Sequence, residues 1–387
     1  MPVSGIIEKF LEKFNIIQEA FLDYLEGDEN IEESYKNLEQ LFEDKKIRES
    51  MHDVELFLHM LVKVANNGHR CPNLYNKIDR ILQFFKDDLK KCKNEEIFKL
   101  FKSNKRILLF LIEEKILTVD ENFVKKIISK KYLEKFYPQY FAPEINPFLN
   151  EQWFPKKNDW FENITKKLPD DFYELRKIGE NESYICELIR KDMVEDFIAY
   201  LNRGNISRNA IISQSIFETN SFLIKKHENI DEQSNNNYDI KGTTLIEYAA
   251  FFGSIQIFTY LKYEGVKLTQ SLWLSAIHGK NAELIHLLED NHVKLHPECI
   301  EESILCHHNE IADYFLNNYP QNKTKKSSET IIRNLKYYNF AFLQKENINK
   351  SSFRHLCHYD YYTLVANLLA NREMDINDEV ILNHIYE

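Results

Sequence analysis

Six side chains able to bind a metal or act as nucleophiles fall between positions 292 and 308: His292, His296, Cys299, Cys306, His307 and His308. Imidazole and thiolate groups are ligands for a borderline-soft ion such as zinc. A thiol beside an imidazole is also the start of a cysteine nucleophile. A second tract, His-Leu-Cys-His at 355 to 358, offers the same groups. A third feature is the Gly253-Ser254 pair inside LIEYAAFFGSIQIFTYLKYEGVKL, residues 245 to 268, where a phosphate loop or a nucleophile turn could sit. Each of these has to be weighed against the elements that would position it.

Composition indicates helices. Gly and Pro number 9 each, against 21 Tyr and 27 Phe in 387 residues, so breakers are few and long apolar side chains many. The net charge of -11 argues against a nucleic-acid backbone as partner, which would call for a basic stripe. Basic pairs such as Lys90-Lys91 and Lys130-Lys131 alternate with acids and read as solvated helix faces. The six cysteines contain no CxxC pair, which suits reduced thiols and a cytoplasmic location. The start, MPVSGIIEKFLEKF, has early acids and no continuous apolar run, so no secretory signal is expected there. ILLFLI, 107 to 112, is far short of the ~20 residues that span a bilayer and reads as a buried helix segment. No membrane partner is expected.

Residues 1–136 read as a helical N-terminal region. Ile7, Phe10, Phe14, Ile17, Phe21 and Tyr24 recur at spacings of three and four and so share one helix face. Gly27 is a plausible stop, and NNGHRCPN at 66 to 73 breaks a later helix. Residues 137–169, with Pro138, Pro143, Pro147 and Pro155 among large aromatics, read as an ordered connector. Residues 170–238 read as degenerate helical repeats followed by a polar loop, at 225 to 242.

Residues 239–387 are periodic. At an offset of 27, Leu261, Leu288, Phe315, Phe342 and Leu369 align, as do Ile257, Leu284, Ile311, Tyr338 and Val365. A column of small residues, Ala249, Ala276, Ser303, Thr330 and Cys357, lies on the first helix of each unit, where it lets a second helix approach. Each unit is a helix-turn-helix that needs stacked neighbours to bury its apolar face. Gly253-Ser254 then occupies the inter-helix turn, and later copies carry Lys280, His307, Asn334 and Tyr361 there. A phosphate loop would need a Gly-rich run followed by Lys, and none is present. The alignment also puts Cys299 at a core position, Cys357 in the small core column and His307 and His308 in an exposed turn. It therefore disfavours the zinc reading. The nucleophile reading is not excluded by these residues, but nothing in the sequence orients a base or supplies an oxyanion hole. Pairs such as Glu301-Glu302 read as helix-start carboxylates.

DIKGTTLIEYAAFFGSIQIFTYLKYEGVKL resembles the ankyrin repeat. Asp239, Gly242, Thr244, Ala249, Ala250, Gly253, Ile257, Tyr260, Leu261 and Gly265 fall on its pattern, while Leu245 and Glu247 stand where that pattern has Pro and His. LVANLLANREMDIN, 364 to 377, is similar to the closing half of the motif, and LIRKDMVEDFIAYLNRGNI, 188 to 206, to a degraded copy. An ankyrin unit is ~33 residues, so the 27-residue period implies trimmed hairpins. Residues 170 to 320 further resemble a group of divergent ankyrin-repeat proteins of trichomonad protists that carry a domain of unknown function. The resemblance implies a fold rather than an activity.

The expectation is thus an all-α chain: a helical solenoid of about five or six ankyrin-like helix pairs behind a helical N-terminal region. The function expected is a non-catalytic module that binds a protein partner, with no catalytic, cofactor or metal residue assigned. Ankyrin-like stacks bind through finger tips and first-helix ends, and with fingers trimmed the helix ends remain. Two columns lie there: Phe251, His278, Leu305, Ile332, Tyr359 and Phe252, Gly279, Cys306, Arg333, Asp360. Phe251, Phe252, His278, Arg333, Tyr359 and Asp360 are the candidate contact residues, since aromatic anchors dominate interface energy. Against this, Phe251 and Phe252 could pack internally. The other function classes are an enzyme with its site in the N-terminal helices, and a metal-dependent switch using the 292–308 cluster.

Overall fold

The computed structural model describes residues 3–68, 71, 73–129, 136–148, 168–228, 242–319 and 328–370. Pro155, Asp239, most of the 225–242 loop and the end of the 364–377 motif lie outside these residues. The described chain is all-helical, with no strand beyond a single bridge between Ile211 and Thr244. No described helix is long and apolar enough to cross a membrane. The chain divides into two compact units, residues 1–74 with 270–387, and residues 75–269.

The first unit is built from both ends of the chain. Its N-terminal part holds α1 (Val3–Glu26), α2 (Ile31–Asp44) and α3 (Met51–Asn67). The stripe expected on α1 is buried from Ile7 to Tyr24, as its period requires. Gly27 follows the last turn, and its N–H donates to Asp23 O. α3 is buried along most of its length, and Gly68 caps it.

The second unit opens with α4 (Leu74–Phe84), α5 (Lys86–Leu89), α6 (Asn94–Phe101), α7 (Lys105–Glu113) and α8 (Glu121–Ser129). ILLFLI lies in α7, with Ile107, Leu108, Leu109 and Leu111 buried. In the aromatic segment, prolines start helices: Pro138 and Pro143 stand in the first turns of α9 (Tyr137–Tyr140) and α10 (Ala142–Ile145). A missing N–H costs nothing there, because the first turn has no intrahelical acceptor for it. Next come α11 (Phe172–Ile178), α12 (Tyr184–Arg190), α13 (Val194–Gly204), α14 (Ser221–Glu228), α15 (Leu245–Phe252) and α16 (Ile255–Tyr263). A buried chain of polar groups ties early and late segments: Asn104 Nδ2 donates to Tyr75 Oη, which donates to Thr219 Oγ1, which donates to Gly179 O.

The C-terminal part of the first unit continues with α17 (Leu272–His278), α18 (Ala282–Asp290), α19 (Cys299–Leu305), α20 (Asn309–Asn318), α21 (Ser328–Tyr337), α22 (Phe353–His358) and α23 (Tyr362–Ala370). Within each unit, consecutive helices pack in pairs, α12 with α13, α15 with α16, α17 with α18, α19 with α20 and α22 with α23, and helices α12 and α15, and α17, α19, α21 and α22 in sequence, lie side by side.

One turn recurs in these pairs. The residue just past the first helix is left-handed, and the next N–H donates to a carbonyl five residues back. The left-handed positions are Asp192, Gly253, Lys280, His307, Tyr338 and Asp360. Five of the six make the five-back bond, from Met193 to Leu188, Ser254 to Ala249, His308 to Ser303, Asn339 to Asn334 and Tyr361 to Leu356, and the turn at Lys280 does not.

These turns correct the expected register. The 27-residue period holds from Gly253 through Lys280 to His307 and then fails. The next turns fall at Tyr338 and Asp360, not at Asn334 and Tyr361. Leu356 rather than Cys357 therefore occupies the buried column, and Cys357 is exposed. Phe342 and Tyr338 also leave the expected second-helix stripe. After α21 the chain runs through turns and a short 3-10 helix, Lys345–Asn347, and α1 packs against that segment.

Candidate functional site

The structure separates the six candidate contact residues. Phe251 is 1% exposed, stacked at 5.9 Å on Phe222 of α14 and edge-on to Phe252 at 4.9 Å. α14 covers it, held by Lys226, whose Nζ lies 2.7 Å from Glu247. Phe251 is thus a core side chain, as is His278 at 2% exposed. Their position at the end of a first helix points them at a neighbouring helix instead of at solvent.

Phe252, Arg333, Tyr359 and Asp360 remain half-buried. Arg333 pairs with Glu301 at 3.0 Å, and Glu301 also accepts the Tyr337 hydroxyl at 2.9 Å. Tyr359 lies edge-on to His358 at 4.8 Å. Asp360 accepts the Tyr362 hydroxyl at 2.9 Å and lies 3.9 Å from His59.

The 292–308 cluster is dispersed. His292 caps α18 in a left-handed conformation with its side chain exposed, and His296 accepts from the Glu298 N–H. Cys299 is buried, and burial pushes its thiol up to about 12. His307 and His308 are buried, not exposed, at 3% and 7%. The ring of His307 lies between two carbonyls, Nδ1 at 3.3 Å from Leu305 O and Nε2 at 3.4 Å from Tyr338 O. Burial holds its pKa down, to about 4.

A different constellation takes the place of that cluster. Glu302 lies on α19 and Cys306 is the residue that caps its C-terminus, four positions on, so the two lie one turn apart on the same side. That side meets α17, whose last residue is His278. Glu302 Oε1 lies 2.6 Å from His278 Nε2, and Cys306 Sγ lies 3.5 Å from both ring nitrogens. His278, Glu302 and Cys306 are the one set of three such ligand groups that converge among the described residues, with donor atoms within 4.8 Å of one another.

As a catalytic dyad this trio is inert. Burial, and after it the Glu302 carboxylate, raise the Cys306 thiol well above its ordinary value. A nucleophilic cysteine needs the opposite environment. Equal distances to both nitrogens also mean that the sulfur is aligned with neither, so the imidazole is not placed to take its proton.

The N-terminal helix α1 lines a shallow cleft of about 410 Å³, shared with residues 340–346. Glu8, Glu12, Asn15, Gln344, Lys345 and Glu346 are its polar side chains, and its lining includes no histidine, cysteine or serine.

Comparisons of the chain with family models, with curated proteins and with solved structures return no match.

Proposed function

We propose that the chain is a non-catalytic protein-interaction module built of ankyrin-like helix pairs. The observation that carries this reading is the recurrent pair itself: six first helices end in the same left-handed turn, and successive first helices lie side by side within each unit. Many of these helix ends and turns are buried against neighbouring helices, and the part left accessible to a protein partner is the half-buried set Phe252, Arg333, Tyr359 and Asp360. The cysteines and histidines fit this reading too. Cys186, Cys299 and Cys306 are buried thiols with raised pKa values, so none is set up as a nucleophile. The contact residues proposed are fewer than the sequence suggested: Arg333, Tyr359 and Asp360 in the first unit and, taken by itself, Phe252 in the second.

The test is affinity capture from native extract with the full chain, beside two variants. One carries Arg333→Glu and Tyr359→Ala, the other Phe252→Ala, and each is first shown to unfold at the wild-type midpoint. A protein retained by wild type, lost by a variant, and bound again with purified components supports the reading. Retention of every captured protein by both variants removes these residues from the interface.

A further inference from the structure

We propose that His278, Glu302 and Cys306 form a binding site for a thiophilic divalent cation, zinc(II) by ligand type, that joins α17 to α19. The proposal is independent of the interaction-module reading.

The ligand set is the first argument. One imidazole, one carboxylate and one thiolate match zinc, whose protein sites draw on Cys, His, Asp and Glu. Thiolate selects against magnesium and calcium, which take oxygen ligands. An all-carboxylate group on the surface would be unremarkable. Here three chemically different groups converge in the interior, from two helices, and two of them are buried.

Geometry is the second argument. Tetrahedral zinc with bonds of ~2.1 Å to nitrogen and ~2.3 Å to sulfur places those two atoms ~3.6 Å apart. Cys306 Sγ stands 3.5 Å from His278 Nε2 but equally far from Nδ1, so the thiol has to turn toward the Nε2 side to share an ion with it. Glu302 Oε1 is 2.6 Å from Nε2, where a bound ion would want ~3.3 Å. A small rotation of the Glu302 side chain supplies the difference. That side chain is 11% exposed while His278 is fully buried, so the carboxylate is the edge by which an ion enters. Three protein ligands leave the fourth position to water.

The proton balance is simple. On binding, the Cys306 thiol loses its proton to solvent and becomes the thiolate ligand. Nε2 of His278 faces the Glu302 carboxylate, which can only accept, so the ring proton shifts from Nε2 to Nδ1 as Nε2 takes the ion. Glu302 exchanges its hydrogen bond for a bond to the ion. The charge of the ion offsets the burial that otherwise keeps the thiol protonated.

The ligands also follow from the helix pairing. Glu302 and Cys306 share a face by their four-residue spacing, and His278 ends the neighbouring first helix. A bound ion would cross-link two successive pairs of the first unit, so the metal-bound protein should be harder to unfold.

The experiment uses the full chain, reduced and stripped of metal, titrated with cobalt(II) and then zinc(II). One equivalent of cobalt(II) should produce a thiolate-to-cobalt charge-transfer band, which zinc(II) removes by displacement. Zinc(II) should raise the unfolding midpoint of the wild-type chain as its free concentration rises. Cys306→Ser should lose the band. Glu302→Gln should keep the band with affinity reduced tenfold or more. A chain carrying Cys71→Ser, Cys92→Ser and Cys357→Ser should titrate like wild type. No band in the wild-type chain, or a band that survives Cys306→Ser, overturns the proposal. Should Cys306→Ser fail to fold, an affinity for cobalt(II) in Glu302→Gln equal to that of wild type overturns it.

Discussion

Gln18 and Asn339 are 321 positions apart and bonded in the interior of the first unit, Gln18 Nε2 donating to Asn339 Oδ1 at 3.1 Å. Gln18 Oε1 accepts the Phe340 backbone N–H at 2.7 Å, so one side chain satisfies two groups in the turn after α21. Asn339 in turn donates to Ile304 O and Asn309 Oδ1. Phe14, one turn before Gln18, stacks on Phe340 at 5.0 Å. The start of the chain is therefore latched to a turn near its end.

Gln18→Leu should open that latch. It leaves the buried Phe340 N–H without its acceptor, a loss of about 1–3 kcal/mol. Hydrogen exchange should show faster exchange in α1 and around residues 338–343, with helices of the second unit unchanged. Unchanged protection at 338–343 would show that the bond contributes nothing.

Phe251 and Phe252 should separate under truncation. Phe251→Ala removes a side chain that is 1% exposed and stacked under α14, so it should cost about 3–5 kcal/mol. Phe252 is only half-buried, and Phe252→Ala should cost markedly less. Denaturant unfolding of the two variants orders them, and equal losses would contradict the burial difference.

These contrasts show what the sequence could and could not reveal. The α1 stripe was legible because burial of one helix face imposes a spacing of three and four. The inter-helix turns at Gly253, Lys280 and His307 were legible because identical pairs repeat at a fixed length. Past His307 the spacing changes, and a fixed offset misplaces Tyr338 and Cys357. Phe251 follows the alternative of internal packing, and its cover, α14, could not be named from the sequence because that helix carries no repeat signal. The His278, Glu302 and Cys306 trio needed two facts together: Glu302 and Cys306 share a face, and α17 lies beside α19. Nearness in sequence drew attention to His292 and His296 instead.

Gly265 and His292 occupy equivalent left-handed ends of α16 and α18, with φ of 84° and 52°. A Cβ added at Gly265 would meet nothing within 4 Å, so Gly265→Ala isolates backbone strain. It should destabilise by ~1 kcal/mol. His292→Gly should do the reverse and stabilise by up to ~1 kcal/mol, because His292 is exposed and lends little packing. Opposite shifts in unfolding midpoint are expected, and a loss of stability in His292→Gly would mean that its side chain matters to the turn.

The two units should respond to pH with opposite sign. In the first unit, burial lowers the pKa of His307 to about 4 from 6.5, and Lys63 adds to this in a minor way. Its neutral form is favoured by folding, so that contribution is present above pH 6.5 and is lost as pH falls toward 4. In the second unit, burial raises the carboxyl of Glu218 to about 7 from 4.5, opposed by the Asn220 backbone N–H and by Lys105 and Arg190 and aided by Glu180. Its protonated form is favoured, so stability is lost as pH rises from 4.5 toward 7. Each shift corresponds to at most about 3 kcal/mol. Glu218 Oε1 accepts the backbone N–H groups of Thr219 and Asn220, and Glu218→Gln retains that acceptor without the titration. His307→Asn keeps a residue type that tolerates its left-handed turn and stays neutral. Hydrogen exchange from pH 4 to 8, corrected for intrinsic rates, should show α19 and α20 losing protection toward acid in wild type and less so in His307→Asn. The segment at 217–223 should lose protection toward neutral pH in wild type and hold it in Glu218→Gln. The same pH slope in variant and parent would show that these two groups do not control it.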